Sequence, residues 1–329
     1  MMGDMNPVAG VDLGGTKIEA AVVDADNTVL GSTRRPTPRE GGPAGVADAI
    51  VEALKSACED AKTDAGTLAG IGVASPGIVD GATGSVTSAR NLPDWEGTFE
   101  LGATLSKELG PPVAVGNDVQ LATEAEFHLG AGRPYESLLG VFWGTGVGGG
   151  LILDGKPWVG RGGAGEIGHM VVVIDGALCG CGRHGCLEAY AGRASMEAHA
   201  RKQADKGKHT DLFRLMEDRG RTRLTSAIWA KALEHGDKVA TKIIDEAIGA
   251  LGAGIASAIN LLDVPAVVIG GGLGVRFGQS YADRIAAAMQ PHLFNDGHPP
   301  VVCVAALGDL GGALGASLLA REHTASTLA

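Results

Sequence analysis

Apolar positions along the chain follow two periods, and the switches between them outline its elements. Short alternating or continuous apolar runs at Val8–Leu13, Lys17–Asp24 and Thr28–Thr33 predict three strands, separated by turns at Gly14-Gly15 and Asp26-Asn27. Arg34–Pro43 is polar and rich in Pro and Gly, and reads as loop. Val46, Ile50, Leu54 and Ala57 then recur at helical spacing and predict a helix over Gly45–Lys62. Leu68–Ala74 and Pro112–Gly116 are short buried strands, the first closed by Ser75-Pro76-Gly77, and Val119–Leu129 is a helix after the second.

A second set of elements begins at Leu138. Leu138–Trp143 and Gly149–Leu153 predict strands flanking a glycine loop, with a turn at Asp154-Gly155. Gly160–Gly192 shows little regular pattern until Val171–Ile174. From Ser195 to Leu262 the pattern is mostly helical and ends in a long Ala/Gly-rich helix, Lys238–Leu262. Ala266–Gly270 and Val301–Ala305 predict strands, Gln279–Gln290 and Gly311–Arg321 helices, and His323–Ala329 a frayed tail. Each half opens with strand, glycine turn and strand before turning helical, which hints at internal duplication. The boundary is expected after Asp118, giving a small α/β domain over 1–118 and a larger one over 119–308. The last helix, 309–329, is expected to return to the first domain.

Composition narrows the class. A chain of 329 residues with 45% hydrophobic content is expected to hold two packed cores rather than a disordered segment. With 53 glycines and only 4% aromatics, tight turns and close backbone approaches should be common. The 27 basic against 38 acidic residues give a charge of −11, which argues against nucleic acid or an anionic membrane as partner. Met1–Pro7 lacks the pattern of a signal peptide. The uncharged stretches Leu138–Leu153 and Ala247–Leu262 are broken by glycines or polar residues and do not resemble a bilayer span. Five cysteines, three of them within Cys179–Cys186, fit metal binding in a reducing, cytoplasmic compartment better than a disulfide framework.

Three glycine runs carry candidate chemistry. In Asp12-Leu13-Gly14-Gly15-Thr16-Lys17 the glycines can present backbone N–H groups to a phosphate, and Asp12 suits a magnesium ion; an ordinary hairpin turn is the alternative. Gly144-Thr145-Gly146-Val147-Gly148-Gly149-Gly150 contains G-x-G-x-x-G, yet a strand follows instead of a helix. A second phosphate clamp therefore fits better than a dinucleotide fold. Gly270-Gly271-Gly272 either admits a flat ligand against the backbone or serves close packing. No G-x-x-x-x-G-K-[ST] occurs, so the P-loop class is excluded. Asp118, in Gly116-Asn117-Asp118 at a strand-to-helix junction, is either an N-cap or a general base drawing a proton from an attacking hydroxyl.

Cys179, Cys181 and Cys186 form C-x-C-x₄-C, with His169 ten residues upstream of the first. Three thiolates and one imidazole complete a closed, structural zinc site; His184, inside the loop, is the rival fourth ligand. Glu166 and Glu188 flank the cluster and suit vicinal hydroxyls, or else lie on the solvated surface.

Together these residues resemble the ROK family of bacterial sugar kinases and repressors and, within it, the glucokinases. The likeness rests on Val11–Lys17, on Asn117-Asp118, on Gly165-Glu166-Ile167-Gly168-His169 and on Cys179–Glu188, which is similar to the family's C-x-C-G-x-x-G-C-x-E signature. It runs in order from Val11 to the last helix. The resemblance implies an α/β, actin-like fold of the hexokinase type (ribonuclease H-like), with two domains and a cleft that closes over the substrates. It implies Asp118 as catalytic base, sugar contacts from Asn91, Asn117, Asp118, Glu166, His169 and Glu188, and zinc on His169, Cys179, Cys181 and Cys186. ATP with Mg²⁺ would meet Asp12, Gly14, Gly15, Thr16, Lys17, Gly144, Thr145, Gly146 and Gly270–Gly272.

The implied reaction moves the γ-phosphate of ATP to the 6-hydroxyl of a hexose. Glucose is the expected sugar, with mannose, fructose, N-acetylglucosamine or N-acetylmannosamine as alternatives and polyphosphate as a rival donor. The family likeness also implies a homodimer or homotetramer. A repressor of the family would carry a DNA-binding helix-turn-helix ahead of the first motif, whereas only about ten residues precede Asp12. Asn91 lies in Asn91-Leu92-Pro93-Asp94-Trp95, similar to a family sugar loop in which Gly is more usual than Asp94.

Overall fold

The computed structural model describes residues 6–89, 92 and 94–328. The chain forms two compact units, one of Met1–Gly130, Val159–Ala164 and Leu307–Ala329, the other of Ala131–Trp158 and Gly165–Ala306.

In the first unit, strands β1 (Val8–Leu13) and β2 (Lys17–Val23) form an antiparallel hairpin, extended on its outer side by β3 (Val29–Pro36). Helix α1 (Gly42–Asp60) follows, and β4 (Ile71–Ser75) then pairs parallel with β1. A small sheet of β5 (Ile78–Asp80), β6 (Ser85–Thr87) and β7 (Thr98–Phe99) precedes helix α2 (Leu101–Leu109). Strand β8 (Val113–Asn117) pairs parallel with β4 and runs directly into α3 (Asp118–Leu129). The main sheet order is β3-β2-β1-β4-β8.

Strand β1 is buried almost throughout and β4 throughout, because helices cover both faces. Val11, Leu13 and Ile18 meet Val46, Ile50 and Leu54 of α1 on one side. The other side receives the last helix, Gly311–Leu328, which lies so close that a Cβ on Gly10 or Gly72 would strike the carbonyl oxygen of Ala313 or Ala316. Gly72→Ala is therefore expected to lower stability by about 3 kcal/mol, read from urea unfolding. An unchanged midpoint would contradict the close fit.

Helix α3 carries a buried carboxyl, Glu124, 7% exposed, whose pKa burial raises to about 7; the Gln120 amide at 3.0 Å opposes the shift and Glu322 adds to it. The folded value lies above the unfolded one, so stability falls as pH climbs from about 4.5 to about 7. Glu124→Gln should gain about 2 kcal/mol over the parent at pH 8 and nothing at pH 4, by thermal unfolding at both.

The second unit repeats the plan. Strands β9 (Leu138–Trp143) and β10 (Val147–Leu153) form a hairpin, with β11 (Lys156–Pro157) at its edge. Helices α4 (Glu188–Ala191), α5 (Arg193–Asp205), α6 (Leu212–Asp218), α7 (Ser226–Glu234) and α8 (Lys238–Leu262) lead to β12 (Ala266–Gly270), which pairs parallel with β9. Then come α9 (Gly271–Phe277), α10 (Gln279–Met289) and β13 (Val301–Val304), parallel to β12; α11 is the Gly311–Leu328 helix of the first unit. The sheet order β11-β10-β9-β12-β13 places its strands as the first sheet places its own: third, second, first, fourth, fifth. The hint of duplication is thus realised in the topology.

Helix α8 is long and apolar enough to cross a bilayer, but Ile243, Ile244, Leu251 and Ile255 are buried in this unit's core. Asp237 caps it by accepting the N–H groups of Val239 and Ala240, each at 2.9 Å.

Several predicted boundaries move. Strand β3 continues to Pro36 through residues expected to be loop, because Arg34 and Arg35 complete the ladder with β2 and point charged ends at Glu19 and Glu52. Strand β10 starts at Val147 rather than Gly149. Gly149 sits inside the ladder, where a Cβ would lie 2.6 Å from the Gly165 carbonyl oxygen. Val171–Ile174 forms no strand: Val171 makes an isolated bridge with Cys186, and Val172 and Val173 donate to Gly185. The final helix runs on to Leu328 instead of fraying after Arg321.

Candidate active site

In the first unit the ends of β1 and β8 bring two carboxylates together. Asp12 alternates with Val11 and Leu13 and so faces away from the α1 core, toward α11, where a Cβ on Gly312 would come 2.5 Å from the Asp12 carboxyl carbon. Burial raises the Asp12 pKa from 3.8 to about 7; Asp118, Glu19 and Asp309 add to the rise and Lys17 opposes it. Asn117, not Asp118, caps α3: its Oδ1 accepts the N–H groups of Val119 at 3.1 Å and Gln120 at 3.0 Å. The Asp118 Oδ1 accepts from Val119 at 2.9 Å.

The turn between β1 and β2 is tight. Gly14 donates to the Lys17 carbonyl at 2.9 Å, and the Thr37 hydroxyl donates to the Gly14 carbonyl at 2.6 Å. Among the described residues no acceptor takes the N–H of Gly15 or Thr16. The Lys17 ammonium reaches Glu19 at 2.6 Å and Asp309 at 3.1 Å, and Arg34 joins the same two carboxylates. Asp309 and Gly312 escaped sequence reasoning because they lie almost three hundred residues from the motif they serve.

The β9–β10 turn in the second unit is built the same way. Gly144 donates to the Gly146 carbonyl at 3.0 Å, and among the described residues nothing accepts from the N–H of Thr145 or Gly146. A Cβ on Gly144 would sit 3.8 Å from the Gly272 nitrogen, so two of the glycine runs adjoin. The third run divides its roles. Gly270 packs on the Phe142 ring; Gly271, with φ +78°, packs on the Trp143 backbone; Gly272 stays open, its nearest outside atom the Ser226 hydroxyl at 4.0 Å.

Residues Glu188 to Ala194 brace this turn. A Glu188 carboxylate oxygen accepts from the Val147 N–H at 2.9 Å and leaves no room for a Cβ on Gly146. The Trp143 indole donates to the Ala191 carbonyl at 2.7 Å. Arg193 and Ala194 donate their N–H groups to the Gly144 and Thr145 carbonyls at 3.1 Å, and the Arg193 guanidinium donates to the Thr145 hydroxyl at 2.7 Å. Sequence alone did not single out Arg193, since an arginine opening a helix looks like any surface residue.

The cysteine loop ends where that brace begins. His169, Cys179, Cys181 and Cys186 bring one ligand atom each within 4.8 Å of one another. The Cys181 and Cys186 sulfurs are 3.8 Å apart, and the Cys179 sulfur is 3.9 Å from the His169 Nδ1. A tetrahedron with arms of about 2.3 Å has edges of about 3.8 Å, so the donor set fits zinc. The Arg183 N–H lowers the Cys181 thiol to about 6, whereas burial pushes Cys179 up to about 12. His184 is excluded from the set, its Nδ1 lying 3.0 Å from the Gly176 carbonyl oxygen. Gly185, at φ +78°, abuts the Val173 carbonyl, a place only glycine fills.

Glu166 is exposed, 3.8 Å from the His169 Nε2, and a Glu188 oxygen lies 3.8 Å from the Cys179 sulfur. Asn91 lies outside the described residues. Its neighbour Asp94 has φ +53°, the left-handed conformation for which glycine is the usual choice and Asp a tolerated one.

Two sheets of one strand order, each with a glycine hairpin whose turn leaves N–H groups without an acceptor among the described residues, are the plan of the actin-like, two-domain fold. The comparisons then fix the family: the model of the ROK family matches residues 8–323. The glucokinase of Streptomyces coelicolor is 34% identical over 322 residues, covering 97% of this chain and 98% of its own. The N-acetylgalactosamine kinase of Shewanella sp. ANA-3 is 35% identical over 324 residues, covering 94% and 95%. The crystal structure of a Streptomyces griseus ROK family glucokinase with glucose and AMPPNP superposes with a TM-score of 0.82 at 34% identity, covering 96% of this chain and 99% of that one. The chain belongs to the ROK family and is a sugar kinase.

Proposed function

We propose that the protein phosphorylates the 6-hydroxyl of a hexose with ATP, glucose being the preferred sugar. The observation that carries this reading is the full-length likeness to glucokinases, one of them solved with glucose and an ATP analogue. In this reading Asp118 takes the proton of the attacking hydroxyl, while Asn91, Asn117, Glu166, His169 and Glu188 fix the sugar's hydroxyls. The open N–H groups of Gly15, Thr16, Thr145 and Gly146 receive donor phosphates, with Gly14, Lys17, Gly144 and Gly270–Gly272 shaping their surroundings. Asp12 would hold Mg²⁺, which neutralises charge on the phosphates when bound. Zinc on His169, Cys179, Cys181 and Cys186 would be structural, keeping the loop that carries Glu188 in place.

A second reading, an N-acetylhexosamine kinase, is favoured by the 35% identity to the N-acetylgalactosamine enzyme. Measurement of the sugar phosphate formed from hexoses and N-acetylhexosamines, a product common to both donors, with ATP or polyphosphate supplied, separates them. Glucose with ATP should give the highest kcat/KM; a higher value for an N-acetylated sugar, or for polyphosphate, would replace this assignment.

A further inference from the structure

A turn that receives phosphate must hold its hydroxyl still as well as its N–H groups. Thr145 sits at the centre of the β9–β10 turn, and its hydroxyl oxygen accepts from Arg193 at 2.7 Å. The backbone N–H groups of Arg193 and Ala194 take the carbonyls of Gly144 and Thr145. Two consecutive residues thus pin both peptide planes and the side chain of the turn. A guanidinium only donates, so it occupies a lone pair of the Thr145 oxygen and leaves that hydroxyl's proton for another acceptor. Among the described residues none takes it.

Charge points the same way. Arg193 is partly buried, yet among the described residues no carboxylate lies within ion-pair distance of it. Glu197, one turn further along α5, is already committed to Arg201 at 2.7 Å and to the Leu224 N–H at 2.9 Å. A partly buried cation that feels Glu197 only from beyond ion-pair distance and is opposed by Arg223, beside a turn with two open N–H groups, is an arrangement completed by an anion.

We propose that Arg193 is a positioning residue for the phosphoryl donor, orienting the Thr145 hydroxyl to donate to a phosphate oxygen and balancing the charge of the phosphate chain. The proposal rests on the reading of the chain as an ATP-dependent kinase. Arg193 acts through Thr145, so the two residues should fail together.

The test is calorimetric titration of ATP with Mg²⁺, without sugar, into the parent protein and into Arg193→Met, Thr145→Val, the double variant and Arg193→Lys. Each of the first two should weaken ATP binding by about tenfold, the scale of one hydrogen bond to a charged group. The double variant should bind no more weakly than the worse single one, and Arg193→Lys should recover part of the loss. Glucose affinity and the urea midpoint, measured on the same preparations, should stay at parental values, which a merely structural arginine would not allow. Unchanged ATP affinity in Arg193→Met, or losses that multiply in the double variant, would overturn the proposal. Should Arg193→Met fail to fold, Arg193→Lys and Thr145→Val carry the same comparison. Sugar phosphorylation by the parent is scored separately and bears on the hexose assignment, whereas the ATP affinities bear on Arg193.

Discussion

Asp118→Asn should bind sugar as the parent does and turn over 10²- to 10⁴-fold more slowly, the usual contribution of a positioned general base. The structure makes this a clean substitution. Helix α3 is capped by Asn117, so the helix start does not depend on the neighbouring carboxylate. An amide oxygen at position 118 can still accept the Val119 N–H that Asp118 accepts at 2.9 Å. What the substitution removes is the capacity to take a proton and one negative charge beside Asp12. That charge helps to raise the Asp12 carboxyl to about 7, so the Asp12 pKa should also fall in the variant. Single-turnover kinetics with sugar binding measured in parallel decide the matter. Near-parental turnover would falsify the base assignment, and weakened sugar binding of equal size would reassign Asp118 to binding alone.

Loss of the metal should have the next largest effect. Cys181→Ser is expected to abolish zinc content, lower the thermal midpoint and weaken sugar binding by about tenfold or more, on the scale seen when groups that orient a site are removed. The geometry also extends the damage to the donor. Glu188 follows the last ligand, Cys186, by two residues and holds the Val147 N–H, so the β9–β10 turn should loosen and ATP affinity should drop with sugar affinity. Cys58, buried in the α1 core, is the control: Cys58→Ser should keep full metal content and both affinities. Metal analysis of protein purified without chelator, followed by the two titrations, gives the answer. A zinc-free parent with full activity would end the structural-zinc reading.

The sequence carried those elements whose signal is local. Leu138–Trp143 and Lys238–Leu262 appear with the bounds their patterns predict, because one is an unbroken buried run and the other an amphipathic stretch with Asp237 as its cap. It failed where a residue's neighbours decide. Val147 and Gly148 look like loop but open a ladder, paired with Trp143 and Phe142. Asn117 and Asp118 are both good caps, and only the backbone shows that the first takes the role. The choice of His169 over His184, made from the tight closure of C-x-C-x₄-C, agrees with the geometry: His169 lies with the three cysteines, and His184 Nδ1 lies 3.0 Å from the Gly176 carbonyl oxygen. Arg193, Asp309 and Gly312 acquire their importance only from tertiary contacts, so no motif announced them.

The position of the last helix bears on how the molecule is made. Strands β1 and β4 leave the ribosome before the second unit, yet the helix that fits against Gly10 and Gly72 is translated after the whole of it. Until Gly311–Leu328 emerges, the older sheet keeps one apolar face bare, while the younger unit already has every strand and helix of its own core. Order of synthesis and order of completion are therefore opposite, and the sheet holding Asp12 is the last to be finished.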